Sequence, residues 1–329
     1  MIKVNKLSKS FRVHEKTPGL KGSFASLFHR KWRTVNALKE VSLEIASGEI
    51  VGLIGANGAG KTTLVKILAG IIHPTSGDVS VLGFNPWLRQ NDYKRQIALV
   101  MGQKAQLWWD LPAADCFLLL KEIYGVSEKD YRERLDFLAT ALQVQNLLNI
   151  QVRRLSLGER MKMELIATLL HQPKVVFLDE PTLGLDINAQ IAIREFLLNY
   201  RQLHNSAMII TSHYMEDIKE LCKRIIIIRD GEFIYDGGLD TVLKEYGTHK
   251  LLIAHLPNED EVFKLKQKVA SFDMEVLESE KGALRLMVKR TEVSQAAAFV
   301  LQNAEVHDFS VEEQPISEVI RIIMEQKEL

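Results

Sequence analysis

The chain has 329 residues, 47% of them hydrophobic, and its 42 basic side chains are balanced by 42 acidic ones. That length and apolar content suffice for a large core and for two domains, while a net charge of zero argues against nucleic-acid binding driven by overall positive charge and leaves room for local basic patches. Cys116 and Cys222 sit in apolar helical stretches without metal-ligand spacing, as a reducing cytoplasm predicts.

Charges are too frequent between Met1 and Lys9 for a signal peptide. The longest apolar runs, Cys116–Leu120 and Ile225–Ile228, fall far short of the ~20 residues a bilayer requires. A membrane role is therefore expected only through a partner.

Ile2–Leu7 reads as an edge strand, with Phe11 at its end. Arg12–Asn36 is basic, carrying Arg12, Lys16, Lys21, Arg30, Lys31 and Arg33 against Glu15. If helical, it aligns Leu20, Phe24, Leu27, Phe28 and Trp32 on one face. Two readings stay open: this face packs on the protein itself, or it lies on a membrane surface. Ala37–Ala46 alternates through Val41, Leu43 and Ile45 and predicts a strand, which leads through Ser47-Gly48-Glu49 into a buried one at Ile50–Ile54.

Next comes Gly55-Ala56-Asn57-Gly58-Ala59-Gly60-Lys61-Thr62-Thr63, followed by Leu64, Val65, Ile67 and Leu68 at helical spacing. A glycine-rich loop joining a strand to a helix is a phosphate cradle. Gly55, Gly58 and Gly60 let successive N–H groups converge on phosphate oxygens, Asn57 lies in the same loop, and the helix adds its positive end. Lys61 reaches the β- and γ-phosphates, the Thr62 hydroxyl is placed to ligand Mg²⁺, and Thr63 contacts the α-phosphate region.

Gly70 and the His73–Gly77 segment end that helix, Val79–Leu82 predicts a strand, and the apolar run Ile97–Met101 leads to Gly102-Gln103. Leu111–Gln151 shows amphipathic helical patterns. With the following helix, which runs to His171, it predicts a helical subdomain over about 104–172. Strands at Val175–Leu178 and Ala207–Thr211 flank a helix from Asn188 to His204, an alternation that argues for a parallel sheet. Ile225–Ile228, Asp230-Gly231 and Phe233–Tyr235 read as a hairpin.

Beyond Tyr246 the pattern becomes strand Leu251–Ala254, helix Glu259–Ala270, hairpin Met274–Leu277 with Leu284–Val288, helix Glu292–Gln302 and strand Val306–Val311. That βαββαβ order predicts a small α+β, ferredoxin-like module, with Ile316–Gln326 as a trailing helix. The expected domains are 1–245 and 246–329.

Two further stretches carry chemistry. Val175–Leu178 is an apolar strand ending in Asp179-Glu180, which puts both carboxylates at the sheet edge where α/β proteins bind ligands. Asp179 can hold Mg²⁺ through its water shell, and Glu180 can orient or deprotonate an attacking water. In Leu155-Ser156-Leu157-Gly158-Glu159-Arg160, Ser156 and Glu159 form a capping box.

Together these stretches resemble the ATP-binding cassette (ABC) family over roughly Ile2–Gly238. The resemblance implies an ABC-type P-loop NTPase domain, with a mixed sheet and a helical subdomain, that hydrolyses ATP with Mg²⁺. It implies that Ser156 and Gly158 meet the γ-phosphate of ATP held by a second copy, so that each site is split between two chains. Gln103 matches the glutamine that senses the γ-phosphate and the membrane partner, and it joins Thr62 and Asp179 in the expected Mg²⁺ set. Gly184-Leu185-Asp186 matches the loop at the dimer seam, and His213 matches the histidine that contacts the γ-phosphate. The expected catalytic residues are thus Glu180, His213 and Lys61.

Leu157 departs from the usual signature glycine and Glu159 from the usual glutamine; Ser156 and Gly158 are retained. The Arg12–Asn36 insertion obscures the adenine-stacking aromatic, for which Phe11 is expected by position and Trp32 is the alternative. A single cassette with a carboxy-terminal module resembles the drug-resistance and sodium-efflux exporter branch. It implies a motor subunit, peripheral on the cytoplasmic face of the membrane, that energises separate permeases. Trp108-Trp109-Asp110 lies where that family docks its permease, although adjacent tryptophans could equally belong to a core. The competing reading is a soluble ABC-type ATPase acting on ribosomes or DNA, and the carboxy-terminal module is expected to assist dimerisation or to sense a ligand.

Overall fold

The computed structural model describes residues 1–14, 32–101, 105–269, 274–277 and 282–325. Its chain divides into two compact units, Met1–Asp236 and Gly237–Leu329.

Strand β1 (Ile2–His14) begins the first unit and buries Ile2, Val4 and Leu7. It is a middle strand rather than the expected edge, paired antiparallel with β2 (Trp32–Ile45) on one side and β4 (Ser76–Val81) on the other. Pairing continues past Leu7 as far as His14 against Trp32. Arg12–His14 and Trp32–Asn36 are therefore extended, which corrects the helical reading there; Leu20, Phe24, Leu27 and Phe28 lie outside the described residues. Register shifts between Val4 and Leu7, Leu7 and Lys9, and Lys9 and Ser10 explain the difference. Each bulge breaks the two-residue period by which a strand is recognised.

Runs too apolar to expose either face dictate the central sheet. Strand β3 (Ile50–Ile54) is buried along its whole length and feeds helix α1 (Lys61–Leu68). After the short helix α2 (Asn91–Lys94) and strand β5 (Ile97–Met101), the helical part follows as α3 (Ala113–Tyr124), α4 (Glu128–Ala141) and α5 (Leu157–Leu169). Ser127 caps α4, accepting from the Asp130 N–H, and Glu128 and Asp130 complement the helix dipole in the first turn. The chain then returns through β6 (Val175–Asp179), α6 (Ile187–His204), β7 (Ala207–Thr211), α7 (Met215–Leu221), β8 (Arg224–Arg229) and β9 (Glu232–Gly238).

The six strands lie in the order β5-β6-β7-β3-β8-β9. Pairing is parallel from β5 through β8. Asp230 and Gly231, with φ of 51° and 83°, turn β8 back into β9, as an Asp-Gly hairpin turn requires. The sheet is thus mixed. One core joins the three-stranded sheet, α1 and the central sheet through Leu7, Leu38, Leu64, Leu68, Phe177 and Ile226.

The second unit contains α8 (Leu239–Tyr246), β10 (His249–His255), α9 (Glu259–Val269), β11 (Glu275–Leu277), β12 (Ala283–Lys289), α10 (Val293–Asn303), β13 (Asp308–Glu313) and α11 (Ile316–Glu325). Its antiparallel sheet has the order β11-β12-β10-β13. Leu252, Leu284 and Leu286 of the sheet pack with Val262, Leu265 and Val300 of α9 and α10. Helix α11 buries Ile316, Val319, Ile320 and Ile323 at helical spacing. Because α8 packs on α11, the units divide after Asp236, ahead of the change of pattern at Tyr246.

Candidate active site

The phosphate loop is squeezed between β2 and β8. A Cβ on Gly55 would lie 2.3 Å from the Ile228 carbonyl oxygen, and one on Gly60 would lie 2.4 Å from that of Ala37. Gly60 also has φ of 117° and caps α1 without any side-chain acceptor. The first N–H groups of α1 are therefore left for a ligand. Behind the loop, the Gly231 N–H donates to the Ala59 carbonyl at 3.0 Å and the Lys39 N–H to the Gly231 carbonyl at 2.8 Å. The β8–β9 turn thus fastens the loop to the sheet.

Lys61 is only 6% exposed. Its ammonium donates to the carbonyls of Gly55 (2.6 Å) and Ala56 (3.1 Å). Burial lowers its pKa, and the charges of Glu180 and Asp179 oppose that shift. Thr62 is exposed, Thr63 half-buried, and Asn57 and Gly58 exposed.

At the end of β6 the structure brings several sequence-predicted residues together. The Thr62 hydroxyl donates to Asp179 Oδ2 at 3.1 Å, and the Thr211 hydroxyl donates to Asp179 Oδ1 at 2.6 Å. A hydroxyl and a carboxylate are hard oxygen donors, and this pair fits Mg²⁺ completed by phosphate oxygens and water. No cluster of three His, Cys, Asp or Glu side chains exists among the described residues. Such a cluster is not needed where nucleotide and water supply the remaining donors. Gln103 lies outside the described residues.

Glu180 has φ of 56°, a left-handed conformation that costs a non-glycine residue ~1 kcal/mol or more. Two contacts from its N–H hold it there, to the Thr211 carbonyl (3.0 Å) and the Thr211 hydroxyl (3.1 Å). The turn directs Glu180 Oε1 to within 2.9 Å of His213 Nε2. Glu180 and His213 form a pair.

The signature residues form a second group. The Ser156 N–H donates to Glu159 Oε2 at 2.8 Å and the Glu159 N–H to Ser156 Oγ at 3.3 Å, completing the capping box of α5. Gly158 is buried, and a Cβ there would stand 3.0 Å from the Ala189 Cβ. Asp186 caps α6 by accepting from the Ala189 N–H at 2.9 Å. The starts of α5 and α6 thereby share one corner. Among the described residues, no hydrogen bond or ion pair joins Ser156, Gly158 or Asp186 directly to Lys61, Thr62, Asp179, Glu180 or His213.

Phe11 lies half-buried opposite Val35, with the Lys9 ammonium 4.9 Å from its ring centre. Trp32 is 58% exposed and meets the His14 ring edge-on at 5.9 Å. Trp108 and Trp109 are about half exposed, and the Arg160 guanidinium sits 5.2 Å from the Trp109 ring.

Sequence reasoning missed several polar side chains. Thr211 orients both Asp179 and Glu180. Glu164, buried on α5, accepts from the Gln106 and Leu107 N–H groups at 2.9 and 3.3 Å, so the loop after Gln103 is tied to the signature helix; burial raises its pKa against those hydrogen bonds. Asp217 and Arg194 form a buried ion pair at 3.0 Å. For Arg194 a signal existed: a charge among Ile193, Phe196 and Leu197 on one helix stretch is unusual unless paired.

Residues 38–183 match the family model described as ABC transporter. The ABC transporter ATP-binding protein NatA of Bacillus subtilis is 32% identical over 215 residues, covering 65% of this chain and 87% of NatA. The probable multidrug ABC transporter ATP-binding protein YbhF of Escherichia coli is 31% identical over 229 residues, 69% of this chain and 39% of YbhF. The dimeric post-hydrolysis state of the ATP-binding cassette MJ0796 bound to ADP and Pi shares the fold, with a TM-score of 0.60 and 23% identity over 73% of this chain and 99% of that one. The matched span holds the phosphate loop, Ser156, Asp179 and Glu180, and with NatA related along most of its length, the chain belongs to the ABC transporter family as an ATP-binding ATPase subunit.

Proposed function

We propose that this subunit is the motor of an exporter. Two copies close head to tail on ATP, hydrolysis lets them part, and separate membrane permeases are levered between inward- and outward-facing states. The observation that carries the hydrolytic part of this reading is the Glu180–His213 pair at 2.9 Å, next to the Thr62–Asp179 contact at 3.1 Å. A base and a cation-binding pair stand side by side at the end of β6.

Lys61, Thr63 and the Gly55–Gly60 backbone, with Asn57, hold the phosphates, and Phe11 stacks on adenine, with Trp32 as the alternative. Thr62 and Asp179, with Gln103, hold Mg²⁺, which when bound offsets charge on the phosphates. Glu180 orients or deprotonates the attacking water, and His213 meets the γ-phosphate. Ser156 and Gly158 close on that phosphate from the second copy, with Asp186 at the seam. Such a site works by placement and charge stabilisation, which suits phosphoryl transfer.

The likeness to a probable multidrug ABC transporter ATP-binding protein is in keeping with the exporter reading, and the likeness to the dimeric MJ0796 cassette supports the dimer. The half-exposed Trp108 and Trp109 support a permease contact, since a core position would bury them. No helix among the described residues is long and apolar enough to cross a membrane; in this reading a permease holds the subunit at the cytoplasmic face. The second unit is read as a ferredoxin-like domain that assists dimerisation.

Glu180→Gln tests the central claim. The variant is expected to bind ATP, remain a closed dimer and lose on the order of 10²-fold or more in turnover. Near-normal hydrolysis would refute the role.

A further inference from the structure

Behind the Glu180–His213 pair lies a second, wholly buried polar cluster. Asp217 on α7 is 1% exposed, Thr182 1% and Ser212 4%. Asp217 Oδ2 accepts from the Thr182 hydroxyl at 2.5 Å and from the Ser212 hydroxyl at 2.7 Å, while Oδ1 accepts from Arg194 Nη1 at 3.0 Å. Arg194 Nε also faces Glu220 Oε2 at 2.7 Å.

The chain positions give this cluster its meaning. Thr182 lies two residues beyond Glu180, and the Leu183 N–H donates back to the Glu180 carbonyl at 3.3 Å. Ser212 immediately precedes His213, and its hydroxyl accepts from the Tyr214 N–H at 2.9 Å, which braces His213 on both sides. The Leu185 N–H donates to the Thr182 carbonyl at 3.2 Å, so the same anchor reaches the turn that delivers Asp186. One carboxylate therefore fixes the loops that carry Glu180, His213 and Asp186.

Burying a charge pair is a poor way to gain stability, since apolar side chains of similar volume do as well or better. What a fully satisfied buried carboxylate supplies is direction: its acceptors admit each donor along a narrow path. We propose that Asp217, held by Arg194, is a positioning residue that sets Glu180 and His213 in register for hydrolysis by clamping Thr182 and Ser212. This rests on the reading of Glu180 and His213 as the hydrolytic pair.

The test uses the full chain and measures steady-state ATPase rates across ATP concentration, nucleotide affinity and thermal unfolding for Thr182→Val, Thr182→Ser, Asp217→Asn and Glu180→Gln. Thr182→Val keeps the side-chain shape and removes only the hydroxyl. It is expected to lower kcat by about tenfold with KM for ATP within about twofold, the signature of an interaction used in the transition state. Thr182→Ser, which restores the donor, is expected to recover most of that loss, and Asp217→Asn to lose more than Thr182→Val. Unchanged kcat in Thr182→Val, with Glu180→Gln inactive, overturns the positioning role alone. So does a loss that tracks the melting temperature and vanishes when assayed well below it. Near-normal turnover in Glu180→Gln overturns the hydrolytic pair and the clamp with it. Because Thr182→Val leaves the buried charges paired, failure of Asp217→Asn to fold does not obstruct the result.

Discussion

Lys61 is held by two carbonyls of its own loop, at 2.6 and 3.1 Å, and two carboxylates act on it against the effect of burial. An ammonium in that position is a mobile point charge that can exchange carbonyl partners for phosphate oxygens. Lys61→Ala is expected to lose both nucleotide affinity and hydrolysis, by at least about tenfold each, because the charge acts on ground and transition states alike. Equilibrium binding of a fluorescent ATP analogue, read beside turnover, checks this. Lys61, Thr62, Asp179 and Glu180 were legible in the sequence because local spacing fixes their places on one loop and one strand end. Asp217 and Thr182 were not, and Arg194 signalled only that it is paired, since Asp217 meets partners 23 and 35 positions away. The parallel pairing of β6 with β7 brings those segments together.

At the scale of elements, the packing of α3 against the end of α5 stores a dependence on pH. His171 stacks on Tyr124 with ring centres 3.8 Å apart and planes within 3°, and its Nε2–H donates to the Ile97 carbonyl at 3.0 Å. Burial pushes its pKa down to about 4, against the pull of that carbonyl and with a smaller contribution from Arg134. The folded value lies below the ordinary value of 6.5, so the unfolded chain binds the proton more readily between the two. The stability linked to neutral His171 is complete above pH 6.5 and is lost as pH falls towards 4, by up to ~3 kcal/mol. His171→Phe keeps a stacked ring but cannot be protonated. Its melting temperature is expected to fall less between pH 7 and pH 5 than that of the parent, and an identical fall would contradict the assignment. His204, also lowered by burial and then by Arg134, retains part of the slope. Strands and helices of this central unit were readable wherever one period ran unbroken, as in β3, β7 and α6. They were misread in β1, where three register shifts hide a long strand.

On the scale of the whole molecule, the 42 basic and 42 acidic residues leave no net charge to draw polyanions from a distance. Shaped surfaces then matter more for association. The second unit has its own core, and α8 belongs with it through α11. Removing residues after Tyr246 is therefore expected to strip α8 of its partner and expose Leu239 and Val242, lowering solubility as well as self-association. Ending the chain after Gly238 removes the unit cleanly. Sedimentation of both truncated forms with ATP, in the Glu180→Gln background, would separate a role in dimerisation from simple exposure of apolar surface. If the form ending at Gly238 dimerises as well as the full chain, the appended unit is not needed for pairing.

The Asp230-Gly231 turn grips Ala59 on one side and Lys39 on the other, and the strand leaving that turn is the one that crosses into the appended unit. The covalent road out of the ATPase thus starts at the fastening of its nucleotide cradle. For anyone grafting a reporter or a foreign module here, the division after Asp236 makes Gly238 the expected splice point. A cut only a few residues earlier, inside Asp230–Glu232, would unbuckle the cradle and forfeit ATP.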